Sequence, residues 1–199
     1  MLAIIAITVA YLIGSISSGV IISKYFKQID PREAGSGSSG ATNVLRLAGN
    51  KAALITLGLD VAKGLVAVLL ARLFLITGLE LGVVVLAVVA GHVYPVFFKF
   101  KGGKGVATAW GAILVVSPML GIVTAVTWAA IAFIFRYSSL ASLIATVLTP
   151  VYALFFAPVI YFLALIPVAL LIIWTHWDNI ERLRNKTEPK LSFSKDGAK

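Results

Sequence analysis

The sequence predicts an all-α membrane protein, a polytopic bundle of seven transmembrane helices with the N-terminus outside and the C-terminus in the cytoplasm. Composition and segmentation set the class, and charge sets the count. Sixty per cent of the 199 residues are hydrophobic and 13% are charged, with a mean hydropathy of +1.00; a soluble domain carries roughly 25% charged residues. The apolar residues gather into runs at 2–23, 52–76, 79–98, 106–116, 119–135, 141–157 and 159–175. A helical crossing takes about 20 residues, with about 17 at the low end, so the run at 106–116 is short. Charge decides it: with seven crossings, 15 of the 17 Lys and Arg residues share one face, leaving Lys63 inside a span and Arg72 near its outer end. That face is cytoplasmic by the positive-inside rule. Were 106–116 re-entrant, the basic C-terminal tail would fall opposite the basic loops.

The first run has no basic residue before it and is followed by Lys24 and Lys27. A signal peptide carries its charge first, so this is a retained helix. Gly14, Ser15, Ser17, Ser18 and Gly19 give it a small-residue face suited to helix packing. No internal repeat is evident, and one domain over 1–199, with a short cytoplasmic tail at 176–199, is the simplest organisation.

Next comes GSGSSGATNVLR at 35–46, an N–H-rich loop leading into a helix start around Thr42, where an oxyanion can bind. Gly35, Gly37 and Gly40 satisfy GxGxxG, and Asp60 lies twenty residues beyond Gly40. The dinucleotide reading fails because it needs a preceding strand and a βαβ unit, whereas a charged loop leads in and Asp60 sits in an apolar run. A flexible linker is the alternative, but Asn43 and Arg46, three positions apart, are residues a linker does not need. Inside the second span Asp60 and Lys63 are also three apart, able to face each other as a structural pair near a site.

At the end of the third span, Gly91-His92-Val93-Tyr94-Pro95 precedes Lys99, Lys101, Gly102, Gly103, Lys104 and Gly105. The positive-inside rule explains Lys99 and Lys101 equally well. Lys104, bracketed by glycines, can bring backbone and ammonium close to a phosphate. A nucleotide P-loop is excluded, since Gly105 stands where Ser or Thr is required. His92, on an apolar segment, reads as a hydrogen-bonded structural histidine. Ser117-Pro118 marks a helix boundary. In RYSSLAS at 136–142, Ser139 or Ser142 is placed to cap the next helix. His176 and Asn179, three apart at the membrane exit, can orient a hydroxyl or a phosphate, with solvated interfacial polarity as the bland alternative.

Zero cysteines remove disulfides and thiolate chemistry, and two histidines leave little for a metal centre. No metal and no cofactor are expected. The net charge of +9 fits the positive-inside rule and anionic headgroups of the lipid bilayer, not nucleic acid. Asn185-Lys186-Thr187 is a sequon in a cytoplasmic tail and is discarded.

Taken in order, GSGSSGATNVLR, DVAKG from Asp60, GHVYPVFFKFKGGKGVAT from Gly91 to Thr108, RYSSLAS, HWDNIERL and TEPK closely resemble the bacterial integral-membrane glycerol-3-phosphate acyltransferases that use acyl phosphate as donor. The resemblance implies transfer of a fatty acyl group from acyl phosphate to the sn-1 hydroxyl of glycerol 3-phosphate, giving lysophosphatidic acid and phosphate, the first acylation of phospholipid synthesis. It implies a multi-pass protein of the bacterial inner membrane with its site facing the cytoplasm, and the soluble enzyme that makes acyl phosphate as a further partner. On that reading Lys104 and Arg46 are the catalytic cations. Ser36, Gly37, Gly40, Thr42 and Asn43 cradle phosphate, Ser142 and Asn179 position glycerol phosphate, and His176 is a base or a positioning group. Ser17, Ser38 and Lys186 depart from the family pattern, which puts the part played by Ser38 in question. The HxxxxD pair of other acyltransferases is absent, since Phe97 follows His92 and Glu181 follows His176 at that spacing. A transporter for an organic phosphate and a lipid-binding scaffold are the competing classes. Neither accounts as well for polar motifs gathered on one face without internal repeats.

Overall fold

The computed structural model describes residues 1–191, so Lys195 and Lys199 of the basic tail lie outside the described residues. Every regular element among the described residues is helical: α1 (Leu2–Gly14), α2 (Ser18–Tyr25), α3 (Ala41–Leu73), α4 (Gly78–Val93), a 3-10 turn at Val96–Phe98, α5 (Val106–Val116), α6 (Pro118–Phe135), α7 (Ser138–Phe156), α8 (Ile160–Thr175) and α9 (Trp177–Arg184). Five stretches, Leu2–Tyr25, Ala41–Leu73, Gly78–Phe98, Pro118–Phe135 and Ser138–Phe156, are long and apolar enough to cross a bilayer, and α8 with α9 makes a sixth if their 59° bend is counted within one span. Large apolar side chains such as Leu54, Phe133, Phe155 and Leu170 point outward, while the interior is dominated by Ala, Gly and Val. That inversion suits a lipid solvent, in which close backbone packing replaces a hydrophobic drive between helices.

The small residues work as the sequence suggests. A Cβ on Gly14 would collide with the Val88 carbonyl, and one on Gly91 with the Tyr11 carbonyl, so α1 and α4 touch backbone to backbone. Gly64 meets Thr108 and Gly111 meets Val61 in the same way, joining α3 to α5. The first run is not one continuous helix, however. It breaks at 15–17, where Ser17 is extended (φ −84°, ψ 90°), and the Ile16 carbonyl freed by the break accepts a 2.9 Å bond from Lys63 Nζ. Helix α3 begins well before the apolar run at 52, with a single non-helical residue at Gly49 (φ 79°). Ser117 caps α6 through Leu120 N–H at 3.3 Å, with Pro118 in the first turn, as the Ser-Pro pair implies.

Two sets of bonds define the ends of the bundle. At one end Arg72 donates to the Val115 carbonyl at 2.7 Å, Ser117 to Phe156 at 2.6 Å, and Gly78 N–H to the Tyr161 hydroxyl at 3.2 Å. At the other, Arg32 donates to Phe98 at 2.8 Å, Ser39 N–H to Gly102 at 3.3 Å, and Leu191 N–H to Arg136 at 2.6 Å. The second end therefore carries all the polar loops. Helices α5 and α6 both reach the first end at Ser117, yet α5 has 11 residues and α6 has 18. At 1.5 Å per residue the start of α5 is recessed ~10 Å into the bundle. The shortness that made this segment ambiguous in the sequence thus carries Lys104 inward.

Candidate functional site

The recess is a cavity of about 370 Å³, polar at its mouth and apolar deeper, reaching Ile113, Leu165, Val168 and Ala169. Its mouth is built where helices begin. Residues 40–42 open α3, 105–107 lead into α5, and Ser138 and Ser139 open α7; all of them line the cavity. Aligned peptide dipoles place partial positive charge at each of these N-termini, so they reinforce the cations beside them. The N–H groups of Ala41 and Thr42 have no protein acceptor among the described residues.

The glycine-serine loop is shaped by Asn43. Its buried amide donates to the carbonyls of Pro31 (2.7 Å), Ser38 (2.9 Å) and Ala34 (3.0 Å), and its Oδ1 accepts from Ser36 N–H at 2.9 Å. Gly35 holds φ +65°, and a Cβ there would strike Asn43 Oδ1. Asn43 lines the cavity, but its polar atoms organise the loop and do not face a ligand freely. Ser36, Gly40 and Thr42 line the cavity; Gly37 turns the chain (φ +70°) outside that lining. Arg46, one turn into α3, is exposed at the mouth with no hydrogen-bond partner among the described residues.

Lys104 is half-buried on the recessed loop, with its ammonium donating to Asn179 Oδ1. Thr175 Oγ1 donates to the Lys104 carbonyl at 3.1 Å, tying this loop to the end of α8. Burial, then the neighbouring positive charge of Arg182, pushes the Lys104 ammonium down to about 8, against opposing pulls from Glu188 and Asp178. His176 is buried, and its Nδ1 lies 2.8 Å from the Ile172 carbonyl, so Nδ1 carries the hydrogen and Nε2 is an acceptor. Burial lowers it to about 4, and it is neutral at physiological pH.

Neither serine caps α7, contrary to expectation: its N-cap is Tyr137, with no side-chain bond. Ser142 donates to Ser138 O at 2.8 Å and accepts from Trp128 Nε1 at 3.0 Å, while Ser139 donates to Glu188 at 2.7 Å. Residues 176–191 are also more than a tail. Glu188 folds back, buried, accepting from Asn179 Nδ2, Ser139 and Arg182, each at 2.7 Å. Burial raises its carboxyl, but bonds from Ser139, Arg182 and Asn179 prevail and hold it below the ordinary value. Glu188 was missed as a site residue. The signal was present in TEPK, an acid isolated in a strongly basic stretch. Asp60 pairs with Lys63 at 2.9 Å, as the spacing predicts; Asp60 and His92 line the cavity wall, and Lys63 lies behind them.

The cavity thus joins a cationic, N–H-rich mouth to an apolar arm, an arrangement that matches an anionic headgroup on a lipid chain. Among the described residues no group of His, Asp or Glu could hold a metal ion. The sequence profile of the glycerol-3-phosphate acyltransferase family matches residues 4–186. A glycerol-3-phosphate acyltransferase of Coxiella burnetii is 48% identical over 190 residues, 96% of this chain and 98% of its own. One of Neisseria meningitidis is 50% identical over 195 residues, with the same coverage. Crystal structures of PlsY, an integral membrane glycerol 3-phosphate acyltransferase, superpose with TM-scores of 0.90 (glycerol 3-phosphate form) and 0.87 (lysophosphatidic acid form). Both are 41% identical, with 96% of this chain covered and 96% and 95% of theirs.

Proposed function

Because the chain belongs to the glycerol-3-phosphate acyltransferase family, we propose that it transfers a fatty acyl group from acyl phosphate to the sn-1 hydroxyl of glycerol 3-phosphate, releasing lysophosphatidic acid and phosphate. The observation that carries this reading is the cavity itself, cationic at the mouth and apolar in its arm, which fits both an acyl donor with a phosphate head and the amphipathic product. An acyl phosphate is a mixed anhydride, so the protein needs no nucleophile of its own. The sn-1 oxygen attacks the carbonyl carbon, the carbonyl–phosphate C–O bond breaks, and the hydroxyl proton leaves with the phosphate. Proximity and fixed charge supply the acceleration.

Lys104 and Arg46 neutralise phosphate and developing oxyanion charge. The N–H groups at the start of α3, with Ser36, Gly40 and Thr42, cradle one phosphate. Gly37 and Asn43 act by shaping that loop. Ser142, His176 and Asn179 orient glycerol phosphate. His176, held neutral with a pKa near 4, is poorly matched to deprotonate an alcohol at pH 7. It therefore accepts a hydrogen bond through Nε2, and the donor's own phosphate takes the proton.

The same reading extends to the whole chain: one domain with seven crossings, N-terminus outside and C-terminus inside, its mouth open to the cytoplasm, where glycerol 3-phosphate is supplied. The soluble enzyme that makes acyl phosphate is a natural partner there. Detergent-purified protein incubated with labelled glycerol 3-phosphate should form lysophosphatidic acid with acyl phosphate and not with acyl-CoA or acyl carrier protein. Product from a thioester and none from acyl phosphate would overturn the donor, and uptake into liposomes without acylation would favour transport.

A further inference from the structure

Acyl transfer gives Lys104 a task but leaves three buried ionisable groups behind it unused. Lys63 Nζ sits 2.9 Å from Asp60 Oδ1 and donates to the Ile16 carbonyl at the α1–α2 break. Asp60 Oδ1 lies 3.4 Å from His92 Nδ1, which also meets Thr108 Oγ1 at 3.2 Å. Two contacts then lead to the lysine loop. Gly103 N–H donates to the His92 carbonyl at 3.1 Å, and a Cβ on Gly103 would collide with His92 Nε2, so Gly103 rests on the edge of the imidazole. From the other side Ser39 N–H holds the Gly102 carbonyl.

Stability alone does not account for this cluster. Ionisable groups in an apolar span are costly, and a buried ion pair is often replaceable by apolar residues without loss. Direct chemistry through the imidazole does not account for it either, because Gly103 lies against the Nε2 that a substrate would have to reach. We propose that Lys63, Asp60 and His92 form a positioning relay that holds Gly103, and through it sets where the Lys104 ammonium stands in the cavity. This rests on Lys104 being the phosphate-binding cation of the acyl-transfer reading. The relay begins at the helix break: the Ile16 carbonyl anchors Lys63, Lys63 orients Asp60, Asp60 fixes the imidazole, and the imidazole is the floor of the loop.

The steric contact allows a direct test in the full-length protein. Gly103→Ala should lower kcat/KM for glycerol 3-phosphate on the order of 10²-fold, the cost of a displacement near 1 Å. His92→Asn, which keeps a donor toward Asp60 and removes the ring edge beneath Gly103, should by itself also lower kcat/KM, while in the double variant the added methyl fills the space the ring leaves. The double variant should therefore recover most of the activity lost in Gly103→Ala. Asp60→Asn/Lys63→Met removes both charges together; it should keep the thermal midpoint while kcat/KM falls. Its Lys104, labelled by an amine-directed reagent and read by mass spectrometry, should reach half-reactivity well above the wild-type value near 8. That labelling needs no substrate: a wild-type protein that made no lysophosphatidic acid would end the acyl-transfer reading, while the profile would still decide the relay. Wild-type kinetics and labelling in folded Asp60→Asn/Lys63→Met would overturn the relay. So would a double variant no more active than Gly103→Ala, and this arm decides if the charge-free variant fails to fold.

Discussion

Lys104 is a half-buried cation on the cavity wall. Burial and Arg182 hold its ammonium near 8, so the charged form is complete below that pH and disappears as pH rises through it. The kcat/KM for glycerol 3-phosphate should therefore carry an alkaline limb near pH 8, and Lys104→Arg, always charged, should move it out of range. Lys104→Ala should cost ~10²–10³ in kcat/KM, the usual loss of one preorganised donor to developing charge. His176, already neutral down to about 4, should contribute no limb near 6.5. Any acid limb belongs to substrate phosphate, titrating near ~6, and should persist in His176→Asn. At this scale the sequence was readable where chemistry demands a residue type: Lys104, Arg46, Ser142, His176 and Asn179 all meet around one cavity. It was less readable for Asn43 and Glu188. Asn43's amide is spent on three loop carbonyls, and the burial of Glu188 depends on a chain reversal that no local pattern announces.

Among the elements, α5 decides the depth of the site. Its 11 residues meet the 18 of α6 at Ser117, which is why Lys104 is recessed and not spread on the surface with Lys99 and Lys101. The helix is held there by glycine contacts with α3, at Gly64 against Thr108 and Gly111 against Val61. Gly111→Val would drive a branched side chain into the Val61 carbonyl. Overpacking of this kind costs about 1–3 kcal/mol, and the thermal midpoint in detergent should fall accordingly, with Gly58→Ala, where a Cβ meets open space, as the control. Helix positions were legible from hydropathy because lipid enforces them. The breaks at 15–17 and Gly49 were not, since each is compensated by a distant partner or by glycine's own freedom, as when Lys63 takes up the Ile16 carbonyl. The strap at 185–191 read as part of a short cytoplasmic tail because its anchors, Arg136 and Ser139, lie about fifty residues earlier.

As a whole, the molecule gathers its polar loops at one end and encloses the cavity beneath them. Seven crossings, with that end cytoplasmic, can be tested cleanly because the chain has no cysteine. Single cysteines at Leu75 and Ala157 should react with an impermeant maleimide from outside intact cells, and those at Lys27 and Lys186 only after permeabilisation. Reaction of Lys186→Cys in intact cells would place the C-terminus outside and remove one crossing. The global charge asymmetry is what argues for this arrangement in the sequence, whereas the apolar arm, which brings Ile113 of α5 beside Leu165, Val168 and Ala169 of α8, emerges only on folding. Acyl phosphate carrying oxygen-18 in the bridge between carbonyl and phosphorus reports directly on which bond breaks during transfer. Attack of glycerol 3-phosphate at the carbonyl should yield lysophosphatidic acid and phosphate in equal amounts, with the heavy oxygen entirely in the phosphate. Heavy oxygen retained in a free fatty acid, or lysophosphatidic acid formed without release of phosphate, would contradict it.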